Sequence, residues 1–307
     1  MKAKNLTSRS GAGRPAIQNK LFTACVFVLC LLIFISVAYP LYFIVIASFS
    51  NSNMVNQGQV LFWPKGFSLF GYQKIFEDTR IWQGYANTIL YTLAGTAVNM
   101  AFTLPAAYAL SRKEFVARKF VMSAFIFTMF FNGGMVPTYM LIRDLKLIDS
   151  FWVMIIPFCV NVYNLIITRT FMETSIPADL YEAATIDGCS HFRYFIQIVL
   201  PLSKAVISVI TLYYLVARWN DFFTPLLYLN NDAKQPLQTV LRNILLSNQV
   251  FGQGAGSAGE GMGSYAQQYA DQIKYGVIIV STVPILCVYP FIQKYFEKGV
   301  MIGAVKG

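Results

Sequence analysis

Charge is scarce in this chain. Asp, Glu, Lys and Arg make up 12% of its 307 residues, where soluble domains carry about 25%. So few charges exclude a surface that mostly faces water. Histidine is nearly absent, with His191 alone. The five cysteines, Cys25, Cys30, Cys159, Cys189 and Cys287, are scattered and form no CxxC pair. A disulfide framework and a zinc site are thereby disfavoured, and no metal site is expected. The dipeptide Gly-Lys does not occur, so no Walker A phosphate loop exists. There is no nucleophile elbow, and no paired carboxylates stand with a histidine base. The chain is expected to be no enzyme and to hold no cofactor. If ATP supplies energy, another subunit must bind the nucleotide and its Mg.

What is present is apolar surface. Hydrophobic residues reach 56%. Six stretches, near 22–48, 87–111, 120–142, 151–168, 194–217 and 275–293, are long enough to cross about 30 Å of hydrocarbon. The expected fold is an all-α integral membrane protein of six helices. The first stretch is too long for a signal-peptide core and lacks a small-residue cleavage site after it, so it reads as a retained helix.

Lys and Arg orient the bundle. With both ends inside, the inner segments carry 14 basic residues over 69 positions and the outer segments 9 over 103. This asymmetry favours both termini in the cytoplasm. The tail of Lys2, Lys4, Arg9, Arg14 and Lys20 contains no acid and fixes the first helix most firmly. The net charge of +10 is read as topological, and no basic-aromatic stripe points to nucleic acid. The expected organisation is a basic cytoplasmic tail over 1–20, a six-helix domain over 21–298 and a C-terminal cytoplasmic tail over 299–307. The domain includes a cytoplasmic loop at 169–193 and an outer loop at 218–274.

Ionisable residues are missing from the middle of every predicted span. Lys204 alone falls inside one, near the inner face where it can snorkel. Ion-coupled carriers place such groups at depth, so this absence weakens that reading. Nearly every span holds a proline: Pro40, Pro105, Pro137, Pro157, Pro201, and both Pro284 and Pro290. Each removes a backbone hydrogen bond and permits a kink. Gly252 to Gly263 in the outer loop contains six glycines among twelve residues, a composition suited to a flexible segment.

The loop at 169–193 is the informative one. Ser175 is placed to cap a helix of about three turns, with Pro177 and Asp179 in its first turn. Gly188 is placed to end it in a left-handed conformation. Ala183 and Ala184 permit close approach of another surface, and Glu182 shares a face with Ile186. Glu182-Ala183-Ala184, then three residues to Gly188, then nine to Ile198-x-Leu200-Pro201, resembles the EAA loop of prokaryotic ABC-importer permeases. The fuller pattern, with Asp187 before Gly188, resembles the maltose-permease-like carbohydrate branch. Three further passages are similar to that branch: Trp219 to Leu226, Pro284-Ile285-Leu286 with Phe291 to Phe296, and Gly303 to Gly307. The resemblance covers roughly residues 80–307. Leu241-Arg242-Asn243-Ile244 most resembles the subgroup paired with oligosaccharide- and polysaccharide-binding lipoproteins. Cys189 departs from the usual alanine but is similarly small.

The resemblance implies a type I importer permease in a prokaryotic inner or plasma membrane. It implies a second, non-identical permease as partner, two ATPase subunits and an extracytoplasmic binding protein, with sugar as cargo. Glu182, Ala183, Ala184, Asp187, Gly188, Leu200 and Pro201 become the ATPase-coupling residues. Lys306 and Gly307 become a tail that reaches the ATPases. A substrate path is expected at Asn132 and Tyr139 in the third span and at Trp219, Asn220 and Asp221 where the fifth meets the outside. An interfacial aromatic belt explains Trp219 equally well. Rival readings are a permease for a non-sugar solute, an ion-coupled carrier and a structural membrane subunit.

Overall fold

The computed structural model describes residues 16–254, 273–287 and 290. Among them every regular element is helical. The chain divides into two compact units, residues 1–69 and 70–307.

In the first unit, α1 (Ala16–Ser48) keeps Pro40 inside an unbroken helix. Its Phe22–Ser48 stretch has a mean hydropathy of 2.6 and is apolar on all sides, as a helix surrounded by lipid must be. The chain then folds back on the end of α1 through the short α2 (Ser52–Asn56), capped by the Asn51 side chain. The Tyr39 and Tyr42 hydroxyls donate to the carbonyls of Leu61 and Phe62. Phe49 and Phe67 stack nearly parallel at 6.0 Å.

The second unit is organised around one long helix. After α3 (Phe70–Glu77), the Asp78 carboxylate accepts from the Arg80 amide and caps α4 (Thr79–Ser111). The Arg80 guanidinium bonds the same carboxylate and holds its pKa below the ordinary value. One face of α4 is buried from Ile81 through Gly84, Thr88, Tyr91, Thr92, Gly95, Asn99 and Thr103 to Leu110. The three- and four-residue spacing defines a stripe. Its small and hydroxyl side chains let neighbours come close, the usual solution between helices in lipid.

The other predicted spans are reshaped. The third is broken into α5 (Arg118–Phe130) and α6 (Met135–Asp144), bent by 114°. At the break the Asn132 side chain accepts from the Gly134 amide, and Gly134 takes φ 86°, a left-handed value open to glycine. Pro137 falls in the first turn of α6, where its missing N–H costs nothing. The fourth apolar stretch, expected as a helix over 151–168, is not one. A single 3-10 turn spans Phe151–Met154, residues 155–161 are irregular, and α7 (Val162–Ser175) comes after them. Pro157 removes a donor there, and Phe158 sits at φ 59°.

Next come α8 (Asp179–Ile186) and α9 (His191–Leu202), which holds a π-helical turn at Phe195–Val199. An 83° bend at Ser203 separates α9 from α10 (Lys204–Trp219). The chain continues through α11 (Phe223–Tyr228), a 3-10 turn at Asp232–Lys234 and α12 (Leu237–Gly254). Last among the described elements is α13 (Ile273–Cys287). Among the described residues two helices are long and apolar enough to cross a membrane, or four spans if each bent pair counts as one.

Packing gathers at both ends of α4. At one end Ala107 and Leu110 meet Met122, Leu165, Met172 and the residues of α8 and α9. At the other, Ile75, Ile81 and Leu237 form a core with Val240, Leu241 and Val277. Between them runs a polar seam. Thr103 and Tyr214 share a hydrogen bond of 2.8 Å. The Tyr214 hydroxyl accepts from the Asn161 amide at 3.1 Å. Arg218 donates to Asn99 Oδ1 and to the carbonyls of Met154 and Ile155. These groups satisfy the irregular backbone, which apolar neighbours could not do.

Candidate functional site

The EAA segment forms a helix shorter than expected. Ser175 ends α7 and does not cap the next helix, and α8 covers eight residues, two turns. The residue preceding α8 is Ala178, which makes no side-chain cap. Its carbonyl instead accepts from the amides of Tyr181 and Glu182. Two acids in the first turn, Asp179 and Glu182, lie where the helix dipole favours negative charge. The other end closes as expected. Gly188 lies at φ 71°, and the Cys189 amide donates to the Ala184 carbonyl while the Gly188 amide donates to that of Thr185. This pair of bonds is the Schellman motif. Cys189 packs against the core that holds Ala184, so the thiol fits where alanine is usual.

The helix divides into two faces. Ala184 is buried, while Glu182, Ala183, Thr185 and Asp187 are exposed, and Ile186 is 87% exposed. Glu182 takes part in none of the described ion pairs. The outer face is therefore an acidic knob with one bare aliphatic side chain. Ile198 and Leu200 pack into the same core as Ala184. Pro201 stands two residues before the 83° bend. The spaced motif thus converges on one structure: a helix, its anchorage and the turn into α10.

Beneath the knob is a cluster that sequence reasoning missed. The Arg112 guanidinium lies 3.8 Å from the Tyr181 ring centroid, 5.6 Å from that of Tyr194 and 5.9 Å from that of Tyr108. Tyr181 meets Tyr194 edge-on at 5.2 Å, and its hydroxyl is 3.2 Å from His191 Nδ1. Arg112 also pairs with Glu114 at 3.3 Å. The Glu114 carboxyl is held below its ordinary pKa, chiefly by its own backbone amide and further by Arg112. Nearby, Arg169 donates to the Leu110 carbonyl, and Glu173 bridges Arg169 and Arg118. In the sequence these cations read only as topological charge.

The expected substrate-path residues each make a contact within the fold. Trp219 donates to the Ser281 carbonyl at 3.1 Å and lines a cavity of about 280 Å³ with Leu93, Leu212, Val216 and Pro284. That lining is apolar and offers almost nothing to sugar hydroxyls. Asn220 donates to the Val216 carbonyl, and Asp221 accepts from the Thr224 amide at the start of α11. Asn132 fastens the α5–α6 bend, and Tyr139 stacks on Tyr228 at 5.9 Å. Arg218, one residue beyond the predicted fifth span, is half-buried and spends its guanidinium on Asn99 and the Met154 and Ile155 carbonyls. Lys306 and Gly307, with most of Gly252 to Gly263 and Phe291 to Phe296, lie outside the described residues.

The family model described as "Binding-protein-dependent transport system inner membrane component" matches residues 81–302. The chain belongs to this family. It is 39% identical to the polygalacturonan/rhamnogalacturonan transport system permease protein YtcP of Bacillus subtilis, covering 95% of this chain and all of that one. It is 40% identical to Protein LplC of the same organism, over 87% of this chain and 89% of that one. A solved chain from a bacterial ABC transporter involved in the import of the acidic polysaccharide alginate superposes with a TM-score of 0.81. It is 30% identical and covers 95% of this chain and all of its own. This permease therefore shares both sequence and architecture with inner-membrane components of binding-protein-dependent transport systems.

Proposed function

We propose that the chain is the permease subunit of an ATP-driven ABC importer for oligosaccharides, and that α8 is where ATPase motion enters it. The cargo rests on the 39% identity that extends over the full length of a polygalacturonan/rhamnogalacturonan permease. The entry point rests on the exposed acidic face of α8. A short rigid helix with three carboxylates, Asp179, Glu182 and Asp187, suits a groove lined by basic side chains. Glu182 is assigned the charge pairing with the ATPase, while Ala183 allows close contact.

In this reading the bundle crosses the membrane six times with both ends in the cytoplasm, and each bent pair contributes one span. A related but non-identical permease completes the pathway. Two ATPase subunits hold ATP and Mg, and a binding protein delivers sugar from outside. Closure of the ATPases pushes α8, the bundle opens outward, and hydrolysis resets it. The bends at Gly134 and Ser203 and the irregular 155–161 segment offer places where such a bundle deforms. The glycine-rich outer loop is assigned to the binding protein, and Lys306 with Gly307 to the ATPases.

Purification from native membranes with identification of the co-purifying chains tests this reading. An ATPase, a second permease and a sugar-binding protein are expected. A thermal-shift screen of that binding protein against neutral and acidic oligosaccharides then names the cargo. A preparation with no ATPase would reject the proposal.

A further inference from the structure

Motion delivered to α8 has covalent routes into its chain neighbours, α7 and α9. The long helix α4 is not one of them, yet α4 holds the buried stripe against which α7, α10 and α12 pack. Any push that rearranges the bundle has to reach α4 through side chains.

Among the described residues, two kinds of contact span that gap. One is the apolar packing of Ala184 in the core with Ala107 and Leu110. It is smooth and carries little directional information. The other is Arg112 against Tyr181. Arg112 is fixed at its backbone as the C-terminal cap of α4, its amide bonded to the Ala109 carbonyl. Its guanidinium lies on the Tyr181 ring at 3.8 Å, within reach of Tyr108 from α4 and Tyr194 from α9. Glu114 holds the cation from its other side, and only 17% of the Arg112 side chain is exposed. A planar guanidinium stacked on a ring is orientation-specific, and a point-charge ammonium does not reproduce that stacking.

We infer that Arg112 is the positioning residue that transmits displacement of the coupling helix to α4, through its stacking on Tyr181. The inference deepens the proposed function and rests on it. The joint resists rotation of α8 relative to the end of α4, so the two move together. Without it α8 still docks, because its exposed face is untouched. The ATPases then turn over with the bundle only loosely attached.

The test uses the complete transporter purified with its partner chains and reconstituted in vesicles. Arg112→Lys, Tyr181→Leu, Tyr181→Phe and the double variant Arg112→Lys with Tyr181→Leu are compared. ATPase retention, ATP hydrolysis and sugar taken up per ATP are measured. Arg112→Lys and Tyr181→Leu are expected to retain the ATPase and its hydrolysis, while uptake per ATP falls about fivefold, the scale of one cation–π contact still partly open to solvent. Tyr181→Phe keeps the ring and should match the unaltered protein. The double variant should be no worse than either single one, because both remove the same contact. Unchanged uptake per ATP in Arg112→Lys, or additive losses in the double variant, overturns the inference. Loss of the ATPase from both single variants also overturns it, since the cluster then only maintains the docking surface. Absence of the ATPase from the unaltered transporter would instead reject the proposed function beneath it.

Discussion

The Tyr214 hydroxyl bonds Thr103 at 2.8 Å and accepts from the Asn161 amide at 3.1 Å. One oxygen thereby joins α4, α10 and the start of α7, and the ring itself is buried. Thr103→Val removes a single interhelical bond, worth about 0.6 kcal/mol in a membrane bundle. Tyr214→Phe removes that bond and the one from the Asn161 amide together, about 1.2 kcal/mol on the same scale. Thermal unfolding in detergent should show a small shift for the first and a clearly larger one for the second. Equal shifts would mean that the Asn161 amide finds another partner.

Glu182→Lys should leave folding intact, because an exposed position outside any described ion pair usually changes stability by no more than about 0.5 kcal/mol. Membrane insertion should match the parent. Uptake and transport-coupled ATP hydrolysis should be abolished by the reversed charge. Normal uptake would remove Glu182 from the coupling role.

Gly188→Ala tests the termination of α8. A Cβ there would meet nothing within 4 Å, so the cost comes from the left-handed backbone alone, about 1–2 kcal/mol. ATPase affinity should fall about tenfold, and Gly188→Asn should recover much of it, since asparagine tolerates this conformation. Equal affinity for glycine and alanine would show that α8 ends differently when docked.

Arg218→Met should destabilise the protein through the carbonyls of Met154 and Ile155, which would lose their donor. Each stranded carbonyl costs about 1–3 kcal/mol. Arg218→Lys should recover part of the loss, because one ammonium can still reach one of them. A melting temperature unchanged by Arg218→Met would contradict this account of the 155–161 segment.

Asp149 predicts a pH response. Its carboxylate accepts from Lys234 and from the amides of Asn230 and Asn231, and these bonds, Lys234 first, hold its pKa below the ordinary 3.8. The folded value is the lower one. The link therefore contributes fully above the ordinary carboxylate pKa and is lost as pH falls through the folded value. Hydrogen exchange at Asn230 and Asn231 should be insensitive to titration at Asp149 between about pH 5 and 8, once intrinsic rates are corrected. Protection should drop below about pH 4. Asp149→Asn, which keeps the shape and tolerates φ 54°, should flatten that response. A step near neutrality would point to another group.

Hydropathy made the apolar runs of α1 and α4 legible, and the spacing from Glu182 to Pro201 made the short helix α8 legible. Gly188 was readable because only its conformational freedom explains its place. The bends were not. Apolar composition continues across Asn132-Gly133-Gly134 and across Ser203, and hydropathy carries no direction. Residues 155–161 also look like a span by composition, but the helix fails at Pro157 and Phe158 and is replaced by bonds to side chains from distant helices. Arg112 and Arg218 were readable only as charges, because stacking on Tyr181 or capping Met154 depends on partners far along the chain. Ser175 misled for a related reason: α7 continues through it before the turn at Pro177.

The π-helical turn at Phe195–Val199 begins inside the nine-residue interval between Gly188 and Ile198. A π turn spends one residue more than an α turn, and one residue of α-helix is about 100° of rotation. The interval therefore sets an angular phase as well as a length. Deleting one residue from Phe195–Val199 would let the segment wind as an ordinary helix of similar rise. It would leave the exposed knob at nearly the same azimuth, because the turn is completed either way, whereas a deletion within α9 outside the π turn would swing Glu182 by about 100° around the helix axis.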